Sequence, residues 1–183
     1  VVEFRQQDND TPVVLMGYLN PVEVMGYTAF AEAAAKAGVD GALTVDLPPE
    51  EASELVAALK AVQLDPIFLL APTSDDTRIK LICDAASGYV YYVAVKGVTG
   101  AGNLDVQAVS DKLEQIRKHT ALPVGVGFGI KDAESAAAVG DVADAVVVGS
   151  ALVQKVEQAA GQHDRINTEI ADLLAQMRAG MDA

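Results

Sequence analysis

Short apolar runs recur along the chain, beginning near Val13, Ala42, Ile67, Tyr89, Val124 and Ala145, and between them lie longer, alanine-rich segments with apolar residues every third or fourth position. A short continuous apolar run fits a parallel strand buried on both faces, and the wider spacing fits one face of a helix. Helices are predicted near Val22 to Ala37, Glu50 to Val62, Asp75 to Ala86, Val106 to His119 and Ala133 to Val139. The tail from Asp164 to Met177 predicts a last helix, with Ile166, Ile170, Leu173, Leu174 and Met177 on its apolar face. Gly38, Gly88 and Gly140 read as helix stops, and Ser74 reads as an N-cap ahead of the acidic pair Asp75-Asp76. Six βα units result.

Strict alternation of strand and helix implies α/β architecture with a parallel sheet, either doubly wound or closed into a barrel. No Gly-x-Gly-x-x-Gly turn follows an early strand, and loop signals follow every strand end, which favours a (β/α)8 TIM barrel. Residues Val1 to Gln7 look like the last turns of a helix, stopped by Asp8-Asn9-Asp10-Thr11 and Pro12. A chain that opens inside a helix, has no initiator Met and supplies six units where such a barrel needs eight is expected to lack the first two. Residues 1–183 are therefore expected to form a single, partial β/α barrel domain.

Two glycine-rich segments stand at the ends of the last two predicted strands: Gly127-Phe128-Gly129 and Gly149-Ser150. Gly127 and Gly129 would let backbone approach a ligand, and Gly149-Ser150 at a helix start would offer free N–H groups and a hydroxyl to an anion. β/α barrels commonly hold a phosphate after strands seven and eight. A single Gly-x-Gly is mostly turn chemistry, so the weight lies on the two copies at successive strand ends.

Composition removes other classes. The formal charge of −13 leaves no clustered Lys and Arg for a nucleic-acid or anionic membrane surface. With 51% hydrophobic residues the chain can bury a substantial core, yet no apolar run approaches the roughly 18 residues of a membrane span. The one cysteine, Cys83, sits in the apolar pattern of a predicted helix, which excludes an internal disulfide framework and suits a reducing, cytoplasmic compartment. His119 and His163 read as isolated and solvent-facing, with no second ligand at metal spacing, so no metal is expected.

The segments Pro12-Val-Val-Leu-Met-Gly-Tyr-Leu-Asn-Pro21, Val45-Asp-Leu-Pro-Pro-Glu-Glu51, Tyr89-Val-Tyr91, Gly97-Val-Thr-Gly100, Gly127-Phe-Gly-Ile130 and Gly149-Ser150 occur in order and at fitting intervals. Together they resemble the α subunit of tryptophan synthase, from Val1 to about Glu157. The resemblance implies an eight-stranded β/α barrel, strands three to eight present here, that splits indole-3-glycerol phosphate into indole and glyceraldehyde 3-phosphate. It also implies that the main catalytic glutamate and aspartate belong to the missing front part, and that the subunit carries no cofactor of its own. Tyr18 and Tyr91 match tyrosines of the substrate pocket, Tyr91 supporting the acid–base step. Phe128 would pack on the indole ring, while Gly100, Gly129, Gly149 and the Ser150 N–H and hydroxyl would hold the phosphate. Thr99, in a glycine-rich loop, would couple loop closure to catalysis. Asn20, Asp46 and Pro48 would lie on the rim facing the β subunit of an α2β2 complex. One departure stands out: many family members carry an arginine shortly before Gly-Val-Thr-Gly, where Val95-Lys96 stands here.

Plainer readings of the same residues stay open. Either tyrosine alone reads as core packing, Thr99 as part of a surface loop, and Asp46 as a cap for the helix beginning near Glu50. At the level of the whole chain the alternatives are another phosphate-binding β/α barrel enzyme, or a non-catalytic partial barrel that serves as an interaction module.

Overall fold

In the computed structural model, which describes residues 1–94, 105–127 and 129–183, the apolar runs become strands and the periodic segments become helices. Contacts divide the chain into two compact units. The first comprises residues 1–70, 75–90 and 119–122, and the second residues 71–74, 91–118 and 123–183.

In the first unit, β1 (Val14–Gly17), β2 (Gly41–Thr44) and β3 (Asp65–Leu70) run parallel in chain order, with Val14 opposite Gly41 and Gly41 opposite Asp65. The helices are α1 (Val2–Arg5), α2 (Leu19–Met25), α3 (Tyr27–Ala37), α4 (Ser53–Ala61) and α5 (Asp76–Ala85). Leu43 of β2, Leu55 and Leu59 of α4, Ile67 and Leu70 of β3 and Ile79 of α5 are buried, as strand faces covered by the apolar stripes of helices require. Removing Leu59 down to Ala would cost about 2–5 kcal/mol. Among the described residues β1 pairs on one side only, and Met16 on it is exposed.

The segment Val22 to Ala37, predicted as one helix, is two. Gly26 adopts φ +88° and ψ 134°, a backbone open to glycine, and turns the chain between α2 and α3. The stretch after Pro48 also starts later than predicted, because Glu51 and Ala52 first bond back to the Pro48 and Pro49 carbonyls in a turn. The cap of α5 is Asp75, whose carboxylate accepts from Arg78 N–H, and Ser74 instead accepts from Ala71 N–H. Of the predicted glycine stops, Gly38 caps α3 in the left-handed region, whereas Gly88 lies beyond the Ala86 cap and Gly140 is the last residue inside its helix.

In the second unit, Tyr91–Val93 of β4 (Val90–Val93) continue into Ala94, whose N–H donates to Gly127 O at 2.9 Å at the end of β5 (Val124–Gly127). Strand β5 pairs in parallel with β6 (Ala145–Val147), Gly125 opposite Ala145 and Gly127 opposite Val147. The helices are α6 (Val106–Arg117), α7 (Ala133–Gly140), α8 (Ser150–Gln158) and α9 (His163–Met181). Asp105 caps α6, and Asp132 with Ser135 forms a reciprocal capping box on α7. Helix α9 lies so close on α7 that a Cβ at Gly180 would stand 2.9 Å from the Ala133 carbonyl. Strand β5 is wholly buried, as its continuous apolar run predicts, but Ala145 of β6 is exposed. Among the described residues, no helix is long and apolar enough to cross a membrane.

Candidate functional site

Polar residues divide by strand end. At the N-terminal ends they bind each other. Arg5 donates through Nε to Gly38 O (2.7 Å), through one terminal nitrogen to Thr11 O (2.8 Å) and through the other to Asp40 Oδ2 (2.6 Å). Asp40 in turn accepts from Val13 N–H at the start of β1. A cleft of about 340 Å³ lined by Val2, Arg5, Asn9 and residues 35–40 opens here; of its two cations, Arg5 and Lys36, Arg5 is already turned onto protein acceptors. In the second unit Asp144 accepts from Val124 N–H (2.9 Å) at the start of β5 and from Arg117 (3.2 Å). The Val124 N–H, and after it Arg117, hold the Asp144 carboxyl below the usual carboxylate range. These contacts tie strand starts together.

Among the described residues, the sequence-predicted site residues other than Tyr91, which is the second residue of β4, lie beyond C-terminal strand ends, the end at which barrel enzymes carry their active sites. In the first unit Tyr18 directly follows β1 and is the N-cap residue of α2, and it is 65% exposed. Asn20 is in the first turn of α2, and Asp46 and Pro48 follow β2. Asp46 does not cap the helix after its own strand: its Oδ1 accepts from Leu19 N–H (2.7 Å), the first residue of α2. One residue earlier, Val45 N–H donates to Gly17 O (2.9 Å). The loop after β2 is further anchored by Glu50, which pairs with Arg78 of α5 and is thereby held below the usual carboxylate range.

In the second unit Tyr91 is half-buried on β4, while its neighbour Tyr92 points to the opposite face and is buried, which pushes its phenol up. The ring of Tyr91 lies across Gly127: a Cβ built there would stand 2.7 Å from Cε2 and 2.8 Å from Cζ. Gly127 is therefore buried beneath an aromatic ring, and the space left by its missing Cβ, expected from the sequence to admit a ligand, is filled by Tyr91. Gly129 and Gly149 keep that space open. Since Gly127 is opposite Val147, both follow paired strand ends by two residues, and among the described residues, chain neighbours aside, no atom lies within 4 Å of a Cβ built on either. Gly149 is the N-cap residue of α8, without a side-chain cap, and Ser150 opens the helix; both are exposed. Among the described residues the first-turn N–H groups of α8 thus meet no side-chain cap, and the partial positive charge there suits an anion.

Thr99, Gly100 and Phe128 lie outside the described residues, as does the side chain of His163. His119, expected to face solvent, is instead part-buried, with Nε2 3.0 Å from Asp76 Oδ1. Cys83 is buried, and burial pushes its thiol up, against any nucleophilic role. Among the described residues no three His, Cys, Asp or Glu side chains are grouped to hold a metal ion. Two functional features had no signal in the sequence, the contact of Gly127 with Tyr91 and that of Asp46 with Leu19, because each joins residues far apart in the chain.

A family model described as tryptophan synthase alpha chain matches residues 1–182. The tryptophan synthase alpha chain of Thioalkalivibrio sulfidiphilus is 65% identical over 182 residues, covering 100% of this chain and 68% of the relative. That of Marinobacter nauticus is 58% identical over 183 residues, again covering 68% of its length. The crystal structure of tryptophan synthase subunit alpha from Legionella pneumophila superposes with a TM-score of 0.87 at 40% identity, covering 98% of this chain and 66% of that one. A chain of the tryptophan synthase a2b2 complex of Pyrococcus furiosus superposes with a TM-score of 0.85 at 33% identity, covering 97% and 70%. The chain thus spans about two-thirds of the length of the relatives it matches, and it belongs to the tryptophan synthase alpha chain family.

Proposed function

We propose that these 183 residues are the strand-three to strand-eight part of a tryptophan synthase α subunit, one β/α barrel domain. The complete protein is then a carbon–carbon lyase of tryptophan biosynthesis. It cleaves indole-3-glycerol phosphate to indole and glyceraldehyde 3-phosphate in the cytoplasm. The observation that carries this reading is the family match over residues 1–182. The position of Tyr18, Gly129, Gly149 and Ser150 just past strand ends supports it.

In this reading the chain supplies the binding half of the site. The phosphate sits at the start of α8, held by the N–H groups of Gly149 and Ser150, the Ser150 hydroxyl and the backbone of Gly129 and Gly100. Such a cradle is neutral, so a protein of formal charge −13 needs no arginine to hold a phosphoester. Phe128 packs on the indole, Tyr18 borders the pocket, Tyr91 hydrogen-bonds in support of proton transfer, and Thr99 links loop closure to the reaction. Cleaving the bond to the indole ring requires a proton on the ring carbon and a base for the glycerol hydroxyl. The glutamate and aspartate that provide them lie outside the 183 residues. Asn20, Asp46 and Pro48 face a β subunit, for which the a2b2 assembly of the P. furiosus relative is support. No cofactor is required in this subunit.

The test is indole release from indole-3-glycerol phosphate. With a β-subunit partner supplied, the full-length protein turns the substrate over and the 183-residue chain alone does not. Absence of indole from the full-length protein with its partner contradicts the reading.

A further inference from the structure

We infer that Asp46 is a positioning residue for Tyr18. The inference rests on the reading above only in taking Tyr18 to border the substrate. Tyr18 is 65% exposed and, as N-cap residue of α2, makes no side-chain capping bond, so packing does little to fix its direction. Its backbone is fixed instead from both sides. The residue before it, Gly17, accepts from Val45 N–H at 2.9 Å, and the residue after it, Leu19, donates to Asp46 Oδ1 at 2.7 Å. Two consecutive residues at the end of β2 therefore bracket the tyrosine at the end of β1. The Val45 bond extends the β1–β2 ladder and would survive any side-chain change. The Asp46 bond depends on one carboxylate, and it is charge-assisted, the stronger class of hydrogen bond. It also supplies the first N–H of α2 with an acceptor that the helix's own N-cap residue does not provide. Asp46 thus holds Tyr18 from a neighbouring loop, a role separate from facing a partner.

The experiment compares Asp46→Ala and Asp46→Asn in the full-length protein. Asp46 is exposed, so truncation removes little packing, and Asn keeps an oxygen that can accept from Leu19. Loss of the bond is expected to speed amide hydrogen exchange at Leu19 about tenfold or more in Asp46→Ala and to move the Tyr18 ring resonances. Asp46→Asn is expected to retain most of the protection and the parental ring resonances. Unchanged Leu19 exchange and Tyr18 resonances in Asp46→Ala overturn the inference. So does a parent chain that binds indole-3-glycerol phosphate with an affinity that Asp46→Ala leaves intact despite a displaced Tyr18. If the parent does not bind that phosphate at all, the substrate reading of Tyr18 fails, while the exchange data still decide whether Asp46 holds it.

Discussion

A single methyl group on Gly127 would enter the ring of Tyr91, so the glycine sets where that tyrosine can lie. Gly127→Ala is therefore expected to lower stability by about 1–3 kcal/mol in denaturant unfolding, the usual cost of overpacking. Because the clash needs both partners, Gly127→Ala combined with Tyr91→Ala is expected to cost clearly less than the sum of the two single changes. Additive costs would mean that the ring simply moves aside. From the sequence, Gly127-Phe128-Gly129 looked like two equivalent openings toward a ligand. The run of small residues was legible, but the neighbour that fills the first opening was not, because Tyr91 reaches it only through the pairing of β4 with β5. Gly129, at φ +80°, has open space where a Cβ would be.

Strands in this chain are tied at their starts by side chains, and among the described residues most candidate site residues follow strand ends. Arg5 is the clearest tie: its guanidinium joins α1 to the end of α3, to the turn before β1 and to Asp40 before β2. The ion pair with a half-exposed Asp40 adds little by itself. Arg5→Ala, however, leaves part-buried carbonyls without their donor and is expected to cost about 1–3 kcal/mol, with faster amide exchange at Val13. Unchanged unfolding in Arg5→Ala would show the network to be dispensable. At this scale the sequence was most informative where periodicity alone decides, as in α6 and β5. It was least so where local geometry intervenes. The helix predicted from Val22 is broken by Gly26, whose positive φ cannot be read from an alanine-rich pattern. The cap of α5 moved from Ser74 to Asp75, since both residues can cap and only the backbone path selects one. The acceptor for α2 came from Asp46, on another loop, where capping rules do not look.

For the molecule as a whole, acidic groups set the response to pH. The carboxyls of Asp132 and Asp144 lie below their ordinary value of 3.8, the first held by the Ser135 hydroxyl and N–H, the second by the Val124 N–H and Arg117. A depressed carboxyl contributes stability that is complete above the ordinary value and is lost as pH falls through the lower, folded one. Stability is expected to decline as pH drops below 3.8, and Asp144→Asn is expected to be less stable at neutral pH with a shallower acid decline. An equally steep decline in the variant would assign acid sensitivity to other groups. The central claim, that the chain carries the binding half of a phosphate site and not the chemistry, is tested most directly by titrating it with indole-3-glycerol phosphate while following backbone amide resonances and free indole. The account predicts saturable shifts at Gly129, Gly149 and Ser150 with no indole released. Amides that do not respond, or indole appearing from the chain alone, would contradict it.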